Sequence, residues 1–169
     1  MDSNNTDSAT ASGAGELAFT VGGRISKPVG EVFEAVVNPG HLSRFFTTGG
    51  AKGRIETGAI VTWDFHDFPG AFPVHVGEVE KDKRIVLRWD APEGAAPADA
   101  SGARRTTVTM TFEPLDDGRT LVRISERGWS QTPTGLKASY GNCEGWTGML
   151  CAMRMWLEHG INLRSGFYK

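Results

Sequence analysis

The sequence TGLKASYGNCEGWTGMLCAMRMWLEHGINLRSGFYK, residues 134–169, decides the fold of this chain. From Asn142 onward its apolar residues recur every three or four positions and share an arc of roughly 140° on an α-helix. That face holds Cys143, Trp146, Met149, Leu150, Met153, Trp156, Leu157 and Ile161. Because the preceding stretch alternates with the two-residue period of strands, we expect this long helix to lay its apolar face on a sheet.

The residues before that helix predict a strand, two short helices and then a series of strands. A strand over residues 17–26 is followed by a helix that Pro28 opens and that Asn38-Pro39-Gly40 ends. A second short helix, which Asn38 or Gly40 starts, then runs through Leu42, Phe45 and Phe46. Further strands are predicted over residues 59–65, 72–80, 84–90, 106–112 and 121–127. The glycine-rich residues 47–53 predict a turn, residues 68–73 an aromatic loop, and residues 91–103 a flexible surface loop.

Length, charge and cysteine content exclude several classes of protein. A chain of 169 residues predicts one domain with a core that needs no disulfide or metal. Its net charge of −2 argues against a nucleic-acid partner, and no apolar run is long enough to span a membrane. Cys143 and Cys151 are eight positions apart on one helix, too far for a disulfide, and two free thiols indicate the reducing cytoplasm. No metal-ligand spacing occurs, so neither a metal nor a cofactor is expected.

The first residues of the chain differ in composition from the rest. Residues 1–16 contain almost only small, polar and acidic side chains, which bury too little apolar area to offset the entropy of ordering. They predict a disordered tail without a secretory signal, followed by a single domain over residues 17–169.

Several sequence blocks, taken in order, resemble one known superfamily. ISKPVGEVFEAV at residues 25–36, NPGHL at 38–42, RIVLRW at 84–89 and Gly145-Trp146 in the last helix carry the resemblance, which extends over residues 17–165. The chain resembles the START-like (SRPBCC) superfamily, especially its bacterial branch related to the C-terminal domain of the activator of the heat-shock-protein-90 ATPase. This resemblance implies an α+β helix-grip fold, in which a curved antiparallel sheet of about six to seven strands grips the last helix around an apolar cavity. It does not imply one chemistry.

A ligand site is therefore expected between the sheet and the last helix. The predicted lining is Trp63, Phe65, Trp89, Met110, Trp129, Tyr140, Cys143, Trp146, Met149, Leu150 and Met153. Taken singly, each of these residues is more typical of an ordinary core. A stripe of small residues, Gly141, Gly145, Gly148 and Ala152, runs beside the apolar face of the helix. It leaves room either for close packing of a strand or for a ligand.

Polar residues offer no defensible catalytic set. Asp64, His66 and Asp67 combine an imidazole with carboxylates, but the alternation with Trp63 and Phe65 predicts a solvated outer face for Asp64 and His66. His66, His75 or Glu126 would support acid–base chemistry if its side chain pointed into the cavity. No nucleophilic triad, phosphate loop or dinucleotide fingerprint is present.

Three functions remain, in a stated order. The first is a cytoplasmic domain, monomeric or homodimeric, that binds a small apolar or amphipathic molecule. The second is a protein-interaction module of the chaperone-activator type, active in the stress response. The third is an enzyme similar to a cyclase or dehydratase, which would need a titratable group inside the cavity.

Overall fold

The structure, a computed structural model, describes residues 16–169. Of the tail predicted for residues 1–16, residues 1–15 lie outside the described residues, whereas Glu16 is the first residue of a strand. In chain order the elements are β1 (Glu16–Ile25), α1 (Val29–Val37), α2 (Pro39–Phe45), β2 (Gly50–Lys52), β3 (Ile60–Phe65), β4 (Phe68–Glu80), β5 (Arg84–Asp90), β6 (Arg105–Pro114), β7 (Thr120–Ser130) and α3 (Pro133–His159).

The seven strands form one antiparallel sheet in the order β1-β7-β6-β5-β4-β3-β2. The register shifts within β1, β3 and β4, and such irregularities bend a sheet. Buried side chains alternate with partly exposed ones along β5 and β6, and a single apolar core joins this inner face to all three helices. Helix α3 lies across β1 and β7. The predicted helix-grip architecture is confirmed.

Helix α3 begins earlier and ends sooner than its apolar pattern indicates. Thr132 caps its first turn by accepting a hydrogen bond from the Gly135 backbone N–H at 3.1 Å, and Pro133 occupies the first helical position. Gly160 ends the helix with φ 69° in the left-handed region, so Ile161 lies beyond it. Tyr140 therefore lies well inside the helix.

The aromatic loop predicted for residues 68–73 is instead the first half of β4. Phe68 pairs with Phe65 across a two-residue turn, and Pro73 pairs with Thr62 further along β3. The sequence did not predict a strand at residues 68–71 because the segment contains prolines and a glycine, and both residue types are unfavourable in strand interiors. The short edge strand β2 lies within the predicted turn at residues 47–53, where three glycines masked it in the same way.

The loop at residues 91–103 is not wholly a surface loop, because Ala95 and Ala96 are completely buried. The Ala95 carbonyl accepts a hydrogen bond from Ser130 N–H at 2.9 Å, and the Ala96 carbonyl accepts one from Arg104 Nη1 at 2.7 Å. The methyl side chains of alanine allow this backbone to approach the start of α3. The sequence predicted a flexible loop because its alanines offer no large apolar side chain, and it did not indicate these two backbone hydrogen bonds.

Replacing Gly135 by alanine is expected to destabilise the protein by about 2–4 kcal/mol, as severe overpacking does. A Cβ at this position would lie 2.9 Å from the Ala95 carbonyl oxygen and still closer to that of Ser130, and neither backbone atom can move aside cheaply. Urea unfolding measures the loss. Gly141→Ala is the control, because a Cβ there meets nothing within 4 Å. Equal stability of the two variants would contradict the close approach.

Candidate functional site

A buried carboxylate lies between the sheet and the first half of α3. Glu126 of β7 is fully buried and points inward. Its Oε1 accepts hydrogen bonds from Trp89 Nε1 at 2.8 Å, Thr106 Oγ1 at 2.6 Å and Asn142 Nδ2 at 3.1 Å. Its Oε2 accepts from Trp146 Nε1 at 2.8 Å and again from Asn142 Nδ2 at 3.1 Å. All four partners are neutral side chains, and no ion pair in the described part of the chain includes Glu126.

This arrangement leaves Glu126 little capacity for chemistry. A carboxylate offers about four lone-pair positions, and the five hydrogen bonds already use them. Accepting a substrate proton would require one of the donors to leave. Glu126 thus points inward, as an enzyme of this fold would need, but its geometry is that of a structural anchor between β7, β5, β6 and α3.

Aromatic side chains fill the space around Glu126. Trp146 stacks on Phe46 with ring centroids 5.4 Å apart and lies 5.3 Å from Trp89. Trp63 meets Trp89 and Trp146 edge-on, at 5.7 and 6.4 Å. Rings at these separations are in direct contact. These three tryptophans, which were predicted to line a cavity between the sheet and α3, therefore pack against one another.

The structure distributes the eleven predicted site residues over four places. Core positions are taken by Trp63, Phe65, Trp89, Met110, Trp146, Leu150 and Met153. Cys143 and Met149 line a cavity on the flank of α3. Trp129 is buried outside the main core, and its Nε1 has no hydrogen-bond partner among the residues that the structure describes. Tyr140 is 66% exposed and lines no cavity described below.

The flank cavity has a volume of about 480 Å³ and lies between α3 and the residues that follow it. Gly145, Gly148 and Ala152 of the predicted small-residue stripe form its floor. A Cβ on Gly145 would meet nothing within 4 Å, and one on Gly148 would meet only the Tyr168 hydroxyl at 3.3 Å. No strand within residues 16–169 therefore packs on Gly145 or Gly148, and the space above them is open. The complete lining is Cys143, Glu144, Gly145, Thr147, Gly148, Met149, Cys151, Ala152, Leu163, Arg164, Phe167 and Tyr168.

The C-terminal segment, residues 160–169, forms the outer wall of this cavity, and a buried ion pair holds it in place. Arg164 donates from Nη1 to Asp67 Oδ2 at 2.8 Å and from Nη2 to Asp67 Oδ1 at 2.9 Å. Lys169 Nζ donates to the Asp67 carbonyl oxygen at 3.0 Å. The Arg164 guanidinium also lies 4.8 Å from the centre of the Tyr168 ring. We call the Asp67–Arg164 pair the clasp.

Hydrogen bonds from Arg164 hold the pKa of Asp67 below its usual range despite burial. Burial, with the Glu144 carboxylate adding to it, raises the pKa of the Tyr168 phenol. Asp67 is only 5% exposed, whereas His66 is exposed, as the alternation predicts. The turn between β3 and β4 directs Asp67 towards the C-terminal segment.

The sequence did not indicate the residues of the C-terminal segment that complete the site, which are Leu163, Arg164, Phe167 and Tyr168. The two aromatic residues after the helix-ending glycine were the available signal, because a large aromatic side chain gains much from burying its apolar surface. Nothing local joins Arg164 to Asp67, since 97 positions separate them.

Residues 16–169 contain no cluster of three His, Cys, Asp or Glu side chains that would hold a metal ion. Cys143 and Cys151 are free thiols. Among the helices described, none is long and apolar enough to cross a membrane.

A long helix held across a curved seven-stranded antiparallel sheet, after two short helices, defines a START-like helix-grip domain. The sequence profile described as Activator of Hsp90 ATPase homolog 1-like protein matches residues 26–158. The chain therefore belongs to the Activator of Hsp90 ATPase homolog 1-like family. A comparison with curated proteins found no match.

Solved structures agree on this fold. A protein from Staphylococcus saprophyticus is similar with a TM-score of 0.70 and 24% identity, over 88% of this chain and 96% of its own. DynU16, a putative protein in the dynemicin biosynthetic locus, has a TM-score of 0.68 and 24% identity, over 87% of this chain and 49% of its own. The Aha1 dimer from Colwellia psychrerythraea has a TM-score of 0.65 and 16% identity, over 85% of this chain and 98% of its own. At these identities the likeness concerns the fold alone.

Proposed function

We propose that this protein binds a small apolar or amphipathic molecule in the flank cavity, between the glycine stripe of α3 and the C-terminal segment. The observation that carries the proposal is the cavity of about 480 Å³, a size within the usual range for ligand sites. Glycine destabilises a helix relative to alanine. The open space above Gly145 supports a functional reason for keeping glycine there, since a side chain would fill that space. The two free thiols, Cys143 and Cys151, support the reducing cytoplasm as the compartment in which this protein acts.

The lining can supply enough affinity for such a ligand. Leu163 and Phe167 line the cavity and keep much of their aliphatic and aromatic surface exposed, which leaves that surface available to a ligand. Burying about 300 Å² of apolar ligand surface contributes roughly 7 kcal/mol before the cost of association is subtracted. The cavity therefore suits the apolar body of a ligand, and binding there requires no catalytic group.

Gly145→Leu is expected to weaken binding of a neutral apolar dye, N-phenylnaphthylamine, at least about tenfold, because the leucine side chain occupies the cavity. Fluorescence titration measures the affinity. Gly141→Leu is the matched control: a Cβ on either glycine meets nothing within 4 Å, but Gly141 does not line the cavity. Both leucines favour the helix by about 1 kcal/mol over glycine, so both variants should fold. Equal dye affinity in the two variants would place the ligand elsewhere.

A second candidate function is a protein-interaction module, and family membership favours it. Phe68 and Phe167 are 62% and 65% exposed, and both contact the Tyr168 ring. Exposed aromatic residues in a group are typical of interaction surfaces. This function predicts that the protein, as a monomer or homodimer, raises the ATPase rate of the chaperone from its own cell. An unchanged rate with the intact protein rejects it.

A further inference from the structure

The Tyr168 hydroxyl reaches the glycine floor of the flank cavity. Its oxygen lies 3.3 Å from the position that a Cβ on Gly148 would occupy, and both residues line the cavity. The Tyr168 side chain is half-buried, and the clasped Arg164 guanidinium lies 4.8 Å from the centre of its ring. Because Gly148 has no side chain, this hydroxyl can approach α3 without being crowded.

The proton of this hydroxyl is not used within the described part of the chain. Tyr168 Oη takes part in no hydrogen bond with residues 16–169. Burial raises the pKa of the phenol, so the group stays protonated at neutral pH and can donate. A ligand that covered this hydroxyl without accepting its proton would leave a buried donor unpaired, which costs free energy.

The other polar groups of the lining already have partners or face solvent. Thr147 Oγ1 donates to the Cys143 carbonyl oxygen at 2.8 Å. Nη1 and Nη2 of Arg164 both donate to Asp67. Glu144 is exposed on α3, where water solvates its carboxylate, and the two cysteine thiols are only weak donors. The phenol therefore remains as the neutral hydroxyl of the lining with a free proton.

We propose that the ligand of this protein is a neutral aromatic ketone or a similar apolar carbonyl compound, whose carbonyl oxygen accepts a hydrogen bond from Tyr168 Oη. This inference rests on the proposed function and adds the class of ligand to it. The exposed Phe167 ring, with its centre 4.9 Å from that of Tyr168, offers an aromatic face beside the donor. A carboxylate would fit less well, because on entering an apolar cavity it loses more hydration than one phenol restores.

Three β-substituted naphthalenes test the class of ligand: acetylnaphthalene, isopropylnaphthalene and naphthoate, each measured by displacement of N-phenylnaphthylamine from the full chain. The first two are nearly equal in shape and differ in the carbonyl oxygen. Both should displace the dye, and naphthoate should bind more weakly than acetylnaphthalene. Tightest binding of naphthoate would overturn the neutral ligand while leaving the cavity in place. Displacement by none of the three would reject the cavity, and with it the proposed function.

Tyr168→Phe supplies the residue-level test of the hydrogen bond. It should weaken binding of acetylnaphthalene about threefold to tenfold more than binding of isopropylnaphthalene, which is the range of one net hydrogen bond. The variant should fold, because phenylalanine keeps the ring against which Arg164 lies. Tyr140→Phe is the matched control, since Tyr140 is the other tyrosine of the chain, is exposed and does not line the cavity. Equal losses for the two probes in Tyr168→Phe, or the same selective loss in Tyr140→Phe, would contradict the assignment of Tyr168.

Discussion

Glu126→Ala is expected to lower the free energy of unfolding by about 3–5 kcal/mol, the largest effect we expect from one substitution in this protein. The alanine removes the acceptor of four buried or half-buried donors: Trp89 Nε1, Trp146 Nε1, Thr106 Oγ1 and Asn142 Nδ2. A buried donor without a partner costs about 1–3 kcal/mol, and the cavity left by the side chain adds to the loss. Urea unfolding followed by tryptophan fluorescence measures both stability and the environment of the two indoles.

Glu126→Gln is the control that separates hydrogen bonding from shape. Glutamine has nearly the same volume and keeps one acceptor oxygen, but its amide group must face donors on the other side. Its destabilisation should therefore lie between those of the alanine variant and the native protein. An alanine variant within about 1 kcal/mol of the native protein would show that Glu126 does not anchor the sheet to α3.

Asp67→Ala is expected to reduce binding of N-phenylnaphthylamine at least about tenfold, because it opens the clasp and releases the outer wall of the flank cavity. Arg164 would lose its counter-ion while buried, so the C-terminal segment is expected to detach and let the guanidinium reach water. Faster hydrogen exchange and proteolysis confined to residues 160–169 would report that detachment. Global stability should fall less than in Glu126→Ala, since the sheet and α3 form the core without this segment.

Asp90→Ala is the matched control for the clasp. It removes the partner of Arg105 from an exposed ion pair of 3.0 Å, and such surface pairs contribute little. Dye binding and proteolysis of Asp90→Ala should equal those of the native protein. Unaltered dye affinity in Asp67→Ala would mean that the C-terminal segment does not form the site.

The pKa of Asp67 also gives the clasp a pH dependence of definite sign. Because its folded-state pKa is lowered, the stabilisation is fully present above the unfolded value of about 3.9 and is lost as pH falls through the lower, folded value. Dye binding should persist from neutral pH to about pH 4 and disappear only below it. Loss of binding between pH 5 and 7 would point to a group other than Asp67.

The sequence was sufficient for the fold because periodicity reports on burial within one element. The face of α3 that carries Trp146 and Met149 is buried as its spacing indicates, and β5 alternates as expected. The sequence did not indicate strand β2 or the first residues of β4, because glycine and proline occupy positions there. Local patterns describe such residues as turns, and only pairing with β3 makes them strands.

The site was less accessible to sequence reasoning because it depends on contacts between distant segments. The glycine stripe of α3 was interpreted as room for either a strand or a ligand, and the sequence did not indicate that the C-terminal segment faces it. Large aromatic side chains were assigned to a cavity wall, whereas Trp63, Trp89 and Trp146 fill the interior by contacting one another. The outer wall comes from the C-terminal segment, whose position depends on the clasp.

The family profile ends at residue 158, before the C-terminal segment begins. Leu163, Arg164, Phe167 and Tyr168 therefore lie outside the part of the chain that defines the family, although they form one whole wall of the flank cavity. The proposed ligand would thus lie between one wall inside the family profile, on α3, and one wall outside it. Exchanging residues 160–169 for designed sequences should redirect binding specificity while the sheet and α3 stay unaltered, which makes this segment a modular place to engineer recognition.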